Sequence, residues 1–307
     1  MLDSSRSFTQ NLKALQAQTG GCMCLGVDPD LERMPRYKSG TLFGRGSQNR
    51  RVFQFCLEVI STTADVIGCY KFDRAFFAAL GAEEEMKALI YHVHWRDRLA
   101  IFDCKSSGVG DSTAESVQEA RLYAAEAFKR YEADAATVNI YSGPDSLDPW
   151  LMYGDSKCVF VFCRSSNRAS YTFQDLDVLD QDAGRCKLHQ YIAFEAIRRR
   201  IPGRNNLATV GLTMGATFPD QIKALAEFMP GHTKSVPLLI PGGGKKGQGG
   251  DLEETMLHAA PFPKLISLSR EILYASSDAR KFSDAVRQAA ENARATINAA
   301  QDKALQK

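Results

Sequence analysis

The sequence predicts an α/β fold, a (β/α)8 TIM barrel that forms one domain over residues 1–307 and carries an N-terminal capping helix. Short apolar runs alternate with longer amphipathic stretches, and each run is apolar on both faces, as the strands of a buried parallel sheet are. A chain of 307 residues is within the range of one such barrel. An open doubly wound sheet is the alternative that the same alternation allows. The eight runs are residues 22–28, 66–72, 99–105, 135–141, 158–164, 207–215, 236–241 and 264–270.

Helical periodicity fills the intervals between the apolar runs. It covers residues 53–64, 82–94, 114–131, 191–200, 220–228 and 278–299. A further helix over residues 8–18, ended by Gly20 and Gly21, is expected to cap the floor of the barrel. Segments 165–190 and 241–251 are the longest irregular pieces, and long loops in a compact barrel are more often functional than filler.

Composition excludes several classes of partner. The formal net charge of +2 provides no broad field for nucleic acid or a membrane surface, so neither is expected as a partner. No stretch approaches the roughly 20 apolar residues of a membrane span, and the N-terminus lacks the apolar core of a signal peptide. These observations predict a cytoplasmic protein. The cysteines form no C-x-x-C pair, which favours buried free thiols, and the five histidines form no metal-binding motif with them.

Charged residues are concentrated at the ends of the predicted strands, where a barrel exposes its side chains to a ligand. Asp103 and Lys105 are two apart on the third strand and so point to the same side, and Lys71 on the second strand should lie beside them. Three alternating charges in a cleft titrate as a unit. A structural salt-bridge network is the alternative, but three such charges on adjacent strand tips favour an active site.

The seventh run leads into the glycine-rich segment PGGGKKGQGGD, residues 241–251, after which a helix is expected near Asp251. Exposed backbone N–H groups in such a turn suit a phosphate, although a flexible surface turn is the alternative. Barrels commonly bind phosphate with the loops after strands seven and eight, and Arg270 ends the eighth run. The G-x-G-x-x-G pattern in the segment is a weak dinucleotide signal, because no acidic residue follows it on the eighth run.

Eight segments, in order, resemble the signatures of the orotidine 5′-phosphate decarboxylase family, most closely its longer-chain branch, across roughly residues 22–290. Eight ordered motifs are far more specific than any one of them. They are GVDPD (26–30), YKFDRAFFAALG (70–81), FDCKSSGVGDSTAE (102–115), TVNIYSGPDSLDPWL (137–151), CRSSN (163–167), GATFPD (215–220), PGGGKKGQGGD (241–251) and SREILYAS (269–276).

The resemblance implies decarboxylation of orotidine 5′-monophosphate to uridine 5′-monophosphate, without a cofactor or metal and usually by a homodimer. It implies that Lys71, Asp103 and Lys105 belong to a catalytic charge row in which Lys105 protonates C6 of the pyrimidine. Asp28 would bind the ribose hydroxyls, and Ser165 and Ser166 the pyrimidine. The further implied substrate-binding residues are Asp73, Thr113, Gln248, Gly249 and Arg270, with Gln248 and Arg270 on the 5′-phosphate.

The sequence departs from the family pattern within the charge row. The pattern is D-x-K-x-x-D, and Gly108 stands where the second carboxylate, contributed by the partner subunit, is expected. Asp111 is an extra residue that could take the vacant place, although simple loss of the group is favoured. In addition, Asp73 replaces a common Asn, and two residues are added around Lys245 and Lys246.

These departures leave three functional hypotheses. The first is the decarboxylase. The second, favoured by Gly108, is a catalytically weak or silent barrel that binds a nucleotide monophosphate. The third is a barrel enzyme that acts on another phosphorylated sugar. The retained charge row favours the first, because an abandoned site has no physical need for such costly charges.

Overall fold

Eight parallel strands close into a barrel and confirm the predicted architecture, in a computed structural model that describes residues 2–3, 5–37, 40–41, 47–109, 117–199, 203–244 and 250–306. Each barrel strand pairs with the next along the chain, and the last pairs with the first. Each predicted run overlaps one strand. The strands are β1 (Met23–Val27), β2 (Cys69–Asp73), β3 (Leu99–Ser106), β4 (Ala135–Val138), β5 (Cys158–Arg164), β6 (Thr209–Met214), β7 (Leu238–Pro241) and β8 (Lys264–Leu268).

Helices alternate with the strands, as the periodicity predicts. The α-helices are α1 (Phe8–Thr19), α2 (Gln48–Thr63), α3 (Arg74–Ala79), α4 (Glu83–Trp95), α5 (Val117–Ala125), α6 (Asp148–Leu151), α7 (Tyr171–Gln174), α8 (Leu188–Arg198), α9 (Pro219–Phe228), α10 (Leu252–His258), α11 (Arg270–Leu273) and α12 (Phe282–Leu305). A π-helical turn continues α5, and short 3₁₀ turns complete the set: Glu126–Arg130 (π), Pro144–Leu147, Arg168–Ser170, Pro230–His232 and Ala279–Lys281.

The interior of the barrel changes character along each strand. Alternate residues of a strand share a face, and those that face the interior are apolar at the amino ends of the strands. They form one buried cluster with the apolar face of α1, in which Phe8 meets Phe160 edge to face at 5.9 Å between ring centroids. The N-terminal helix therefore caps the barrel floor as predicted, and Gly20 ends it in the left-handed conformation with a φ of 65°.

The segment 165–190 is more regular than the sequence predicts. It contains a 3₁₀ turn, α7 and an antiparallel hairpin of Asp177–Asp180 with Gly184–Lys187. The hairpin is mostly exposed, so its strands carry no apolar period that would reveal them. Arg164, fully buried, anchors the segment through hydrogen bonds to Ser170, Gln174 and Asp175. A second small hairpin joins Arg36–Tyr37 to Gly40–Thr41.

The cysteines lie where the sequence predicts. Of the six expected inside strand runs, five are buried, Cys104 is half-buried, and all are free thiols. Among the residues that the structure describes, no helix is long and apolar enough to cross a membrane. The same residues contain no cluster of histidine, cysteine or carboxylate side chains that could hold a metal ion.

Candidate active site

Three charged side chains from β2 and β3 meet at the carboxyl end of the barrel. The ammonium of Lys71 forms an ion pair with Oδ2 of Asp103. The other oxygen of Asp103 lies 3.0 Å from Nζ of Lys105. The structure therefore brings Lys71, Asp103 and Lys105 into one contiguous row.

The register of the two strands explains this meeting. Lys71 is paired with Ile101 and Asp73 with Asp103 across the β2–β3 ladder. Ile101 belongs to the buried interior cluster, so Asp103 and Lys105, which follow it at intervals of two, continue on the interior face. The same alternation carries Lys71 inward after Cys69. The interior side chains are thus apolar at the amino ends of these strands and charged at their carboxyl ends.

Mutual attraction keeps the row ionised. Burial raises the pKa of Asp103, but the ammonium groups of Lys71 and Lys105 outweigh it and hold that pKa well below its ordinary value. Burial lowers the pKa of Lys71 and Lys105, but the Asp103 carboxylate reverses the effect, so both pKa values lie above the ordinary value of lysine. At neutral pH the row therefore reads plus, minus, plus.

Lys105 has an unusual backbone. Its φ of 50° lies in the left-handed region, where a residue with a Cβ is disfavoured. Two groups of the next strand segment hold it: Thr137 Oγ1 accepts a hydrogen bond from the Lys105 N–H at 3.0 Å, and Asn139 Nδ2 donates to the Lys105 carbonyl at 2.8 Å. Thr137 also donates to Asp103 at 2.6 Å. Sequence reasoning missed both residues, although they lie in the TVNIY motif.

Asp73 forms an ion pair with Lys105, at one end of the row. Its Oδ2 accepts a hydrogen bond from Nζ of Lys105 at 2.9 Å, and its Oδ1 accepts from the backbone N–H of Ala75 at 3.0 Å. The substrate contact that the resemblance implies for Asp73 is not visible in this arrangement.

A cavity of about 210 Å³ opens beside the row, and Lys71 is in its wall. Asp28 also lines it, with Oδ2 accepting a hydrogen bond from Ser269 at 2.6 Å. The buried Oδ1 of Asp28 has no hydrogen-bond partner among the residues that the structure describes. An acceptor of this kind is suited to a ligand hydroxyl. The remaining wall is formed by Gly26, Ser166, Pro241, Gly242, Gly244, Ser267, Leu268, Ser269, Arg270 and Glu271.

Two glycines of the glycine-rich segment, Gly242 and Gly244, line this cavity together with Arg270. Gly242 has a φ of 90°, a conformation that glycine adopts without strain. The guanidinium of Arg270 is exposed and makes no ion pair with any described residue, so it is available to an anion. The helix expected near Asp251 is α10, but Asp251 itself caps it by accepting from the N–H of Glu254 at 3.0 Å. Its terminus thus already holds an anion, and the glycine turn remains for a phosphate.

Glu271 is a carboxylate within the same cavity that sequence reasoning missed. A Cβ built on Gly244 would meet its carboxylate at 2.7 Å, so Glu271 lies against the glycine turn. A negative charge here opposes a bound phosphate. The feature therefore weakens the site that Arg270 and the glycines form.

Of the other predicted site residues, the structure describes Ser165 and Ser166. Ser166 lines the cavity, whereas the hydroxyl of Ser165 accepts a hydrogen bond from the N–H of Asn167 at 3.0 Å. Ser165 is also tied by its own N–H to Gln174 at 2.8 Å, so its described contacts are within its loop. Four predicted residues lie outside the described residues: Asp111, Thr113, Gln248 and Gly249.

Comparison with known proteins gives a consistent result. The model of the orotidine 5′-phosphate decarboxylase / HUMPS family matches residues 23–285. The orotidine 5′-phosphate decarboxylase of Dechloromonas aromatica is 38% identical over 298 residues, which cover 95% of this chain and 98% of that protein. The corresponding protein of Ralstonia pickettii is 38% identical over 296 residues, with the same coverage.

A solved structure extends the similarity to three dimensions. The OMP decarboxylase of Leishmania donovani superposes with a TM-score of 0.71 at 27% identity, over 96% of this chain and 99% of that one. The match with the family model spans all eight motif segments and reaches from β1 into α12. By its sequence and by its fold, the chain belongs to the orotidine 5′-phosphate decarboxylase / HUMPS family.

Proposed function

We propose that this protein decarboxylates orotidine 5′-monophosphate to uridine 5′-monophosphate in de novo pyrimidine biosynthesis. One observation carries the proposal: two carboxylates hold the ammonium of Lys105 at the end of a charge row that reaches a cavity. Lys71, the other lysine of the row, lines that cavity. The family assignment and the names of the relatives support it. The proposed enzyme is a carboxy-lyase that uses no cofactor or metal.

The charge row suits the chemistry of this step. Asp103 faces the substrate carboxylate, whose negative charge is destabilised beside it. The bond between C6 and the carboxylate breaks, CO2 leaves, and the electron pair remains on C6. The ammonium of Lys105 stabilises this carbanion and then donates a proton to it, which gives uridine 5′-monophosphate and a neutral amine. A proton from solvent restores Lys105.

The cavity supplies the binding energy. Asp28, whose buried Oδ1 has no hydrogen-bond partner among the described residues, accepts hydrogen bonds from the ribose hydroxyls, and Ser166 contacts the pyrimidine. Arg270 and the glycine turn hold the 5′-phosphate, which is remote from C6 in the substrate. Binding energy from such a remote group can stabilise the reactive state of the enzyme.

Further parts of the proposal rest on the family resemblance. Gln248 and Gly249 complete the phosphate site, and Thr113 contacts the substrate. Asp111 lies outside the described residues, and its catalytic role stays a prediction. Ser165 contacts the pyrimidine together with Ser166, after its hydroxyl gives up the hydrogen bond from the N–H of Asn167. The protein works as a cytoplasmic homodimer, and sedimentation of the purified chain tests that state.

The test is an assay with purified protein. The loss of orotidine absorbance reports turnover, and calorimetry with uridine 5′-monophosphate reports binding in parallel. Turnover together with binding supports the decarboxylase. Binding without turnover would instead establish the silent barrel, to which Gly108 points. Failure of both, with turnover of another phosphorylated sugar, would establish the third hypothesis.

Glu271→Gln is expected to tighten the binding of uridine 5′-monophosphate. The substitution removes a negative charge from the phosphate end of the cavity while keeping the size of the side chain. Two unit charges a few Å apart in water repel by about 1 kcal/mol, so the dissociation constant should fall roughly fivefold at low salt. Calorimetry at low and high salt measures the change.

The matched control for this substitution is Glu227→Gln, which removes the same charge from the exposed face of α9. It should leave the dissociation constant unchanged. Weaker binding in Glu271→Gln would show that Glu271 assists the ligand, for example by ordering the glycine turn, and that the phosphate is not held beside it.

A further inference from the structure

We propose that Asp73 is the second carboxylate of the charge row and positions Lys105 from within the same chain. The inference rests on the proposed function, which makes Lys105 the proton donor. Gly108 replaces the carboxylate that the family pattern places in the charge row. Under this proposal Asp73 supplies that carboxylate instead, from β2 and from the same subunit. The row is then complete in one chain as Lys71, Asp103, Lys105 and Asp73.

The geometry of the two strands repeats itself at Asp73. Across the ladder, Lys71 is level with Ile101, and its partner Asp103 is two residues further on. Asp73 is level with Asp103, and its partner Lys105 is again two residues further on. The two ion pairs are therefore the same diagonal pair with the signs exchanged. Lys105 receives a carboxylate on each side, at 3.0 Å from Asp103 and 2.9 Å from Asp73.

The carboxylate of Asp73 is fixed in direction. It ends β2 and is the N-cap of α3, where its Oδ1 accepts the N–H of Ala75 at 3.0 Å. This bond aims the second oxygen at Lys105 and limits rotation of the group. A carboxylate held in this way can fix the ammonium of Lys105, whose side chain is 45% exposed and would otherwise be held by Asp103 alone.

The place that Gly108 occupies has no room for a side chain. A Cβ built there would lie 2.7 Å from Cα and 2.8 Å from N of Ala120, both backbone atoms of α5. Its φ of 76° is also in the left-handed region. A carboxylate at position 108 would require movement of α5, because the backbone of this position packs closely against that helix.

Asp73→Asn is the decisive substitution. Asparagine is an equally good N-cap, so its oxygen keeps the bond to Ala75 and its NH2 group then faces Lys105. Helix α3 should remain intact while the charge and the acceptor for Lys105 are lost. We expect kcat to fall about tenfold or more. The dissociation constant of uridine 5′-monophosphate should change less than about threefold, because Asp73 does not line the cavity.

A pH profile distinguishes positioning from a structural role. The pKa of Lys105 is held above its ordinary value in part by Asp73. Without that charge the pKa of Lys105 should fall, and the alkaline limb of kcat should move to lower pH with it. Asp278→Asn is the matched control, since Asp278 also caps a short helical turn through the N–H of Arg280 at 3.0 Å. It should leave kcat and its pH profile unchanged.

A second readout needs no turnover. Carbon-13 labelling of lysine side chains, with Lys105→Arg to assign the signal, reports the pKa of Lys105 by NMR in both proteins. A fall of that pKa in Asp73→Asn supports the inference even if the wild-type chain proves to be silent, whereas the absence of wild-type turnover counts against the proposed function alone. An unchanged pKa and an unchanged pH profile in Asp73→Asn would overturn the inference.

Gly108→Asp supplies the opposite test. Because position 108 lacks space, we expect this variant to be less stable and no faster than the wild type, and to leave the kcat of Asp73→Asn unrestored. A gain of tenfold in kcat, or rescue of Asp73→Asn, would show that the vacant place lies at position 108 and would refute the assignment of Asp73.

Discussion

Lys105→Ala is expected to abolish turnover and to leave nucleotide binding almost intact. The substitution removes both the positive charge that stabilises the carbanion at C6 and the proton that replaces CO2. General acid catalysis alone accounts for factors of roughly 10²–10⁴, and the electrostatic contribution adds to it, so kcat should fall by at least about 10³. Orotidine 5′-monophosphate absorbance measures kcat, and calorimetry measures the dissociation constant of uridine 5′-monophosphate.

The dissociation constant should stay within about threefold of the wild type, because Lys105 is not among the residues that line the cavity. Lys13→Ala is the control, since Lys13 is an exposed residue of α1 at the opposite end of the barrel. Undiminished turnover in Lys105→Ala would exclude it as the proton donor. An equal loss of nucleotide affinity and of turnover would instead show that Lys105 contributes to substrate binding rather than to the chemical step.

Asp103→Asn is expected to lower both stability and activity. Asp103 is 5% exposed and is the shared partner of Lys71 and Lys105, so its neutralisation leaves two ammonium groups facing each other without it. Breaking a buried ion pair by removing one partner costs about 3–5 kcal/mol. Because Lys105 keeps a second carboxylate and is half exposed, we expect the lower end of that range, measured as the free energy of unfolding in urea.

The pH dependence of this difference gives a second check. The pKa of Asp103 is depressed in the folded state, so its contribution to stability is present above the ordinary aspartate pKa of about 3.9 and is lost as the pH falls toward the folded value. The gap in unfolding free energy between wild type and Asp103→Asn should therefore be constant near neutral pH. It should narrow below about pH 4. A gap that widens on acidification would contradict the assigned ionisation.

The fold was predictable because its signals are local. Eight apolar runs, each followed by a helical period, fix the barrel, and Gly20 fixes the end of the capping helix. The hairpin of Asp177–Asp180 with Gly184–Lys187 was not predictable, because only one of its side chains is buried. An exposed ribbon leaves no hydrophobic period in the sequence.

The candidate site was predictable in part, for a similar reason. Lys71, Asp103 and Lys105 follow from side-chain alternation on neighbouring strands. The contact between Asp73 and Lys105 depends on the register of β2 against β3, which spacing along one strand does not fix. Likewise, the hydrogen bond from Lys105 to Thr137 forms where the register between β3 and β4 shifts, and the sequence does not show that shift. The position of Glu271 beside the glycine turn depends on how two distant loops converge.

Lys71 belongs to two structures at once, since it forms an ion pair with Asp103 and also lines the cavity. An anion that enters the cavity therefore changes the field at the row without any movement of the backbone. By thermodynamic linkage, the affinity for the anion and the proton affinity of the lysines must depend on each other. Filling the cavity with a dianion should make the row hold its protons more tightly, so that the proton donor is fully loaded when its substrate is bound.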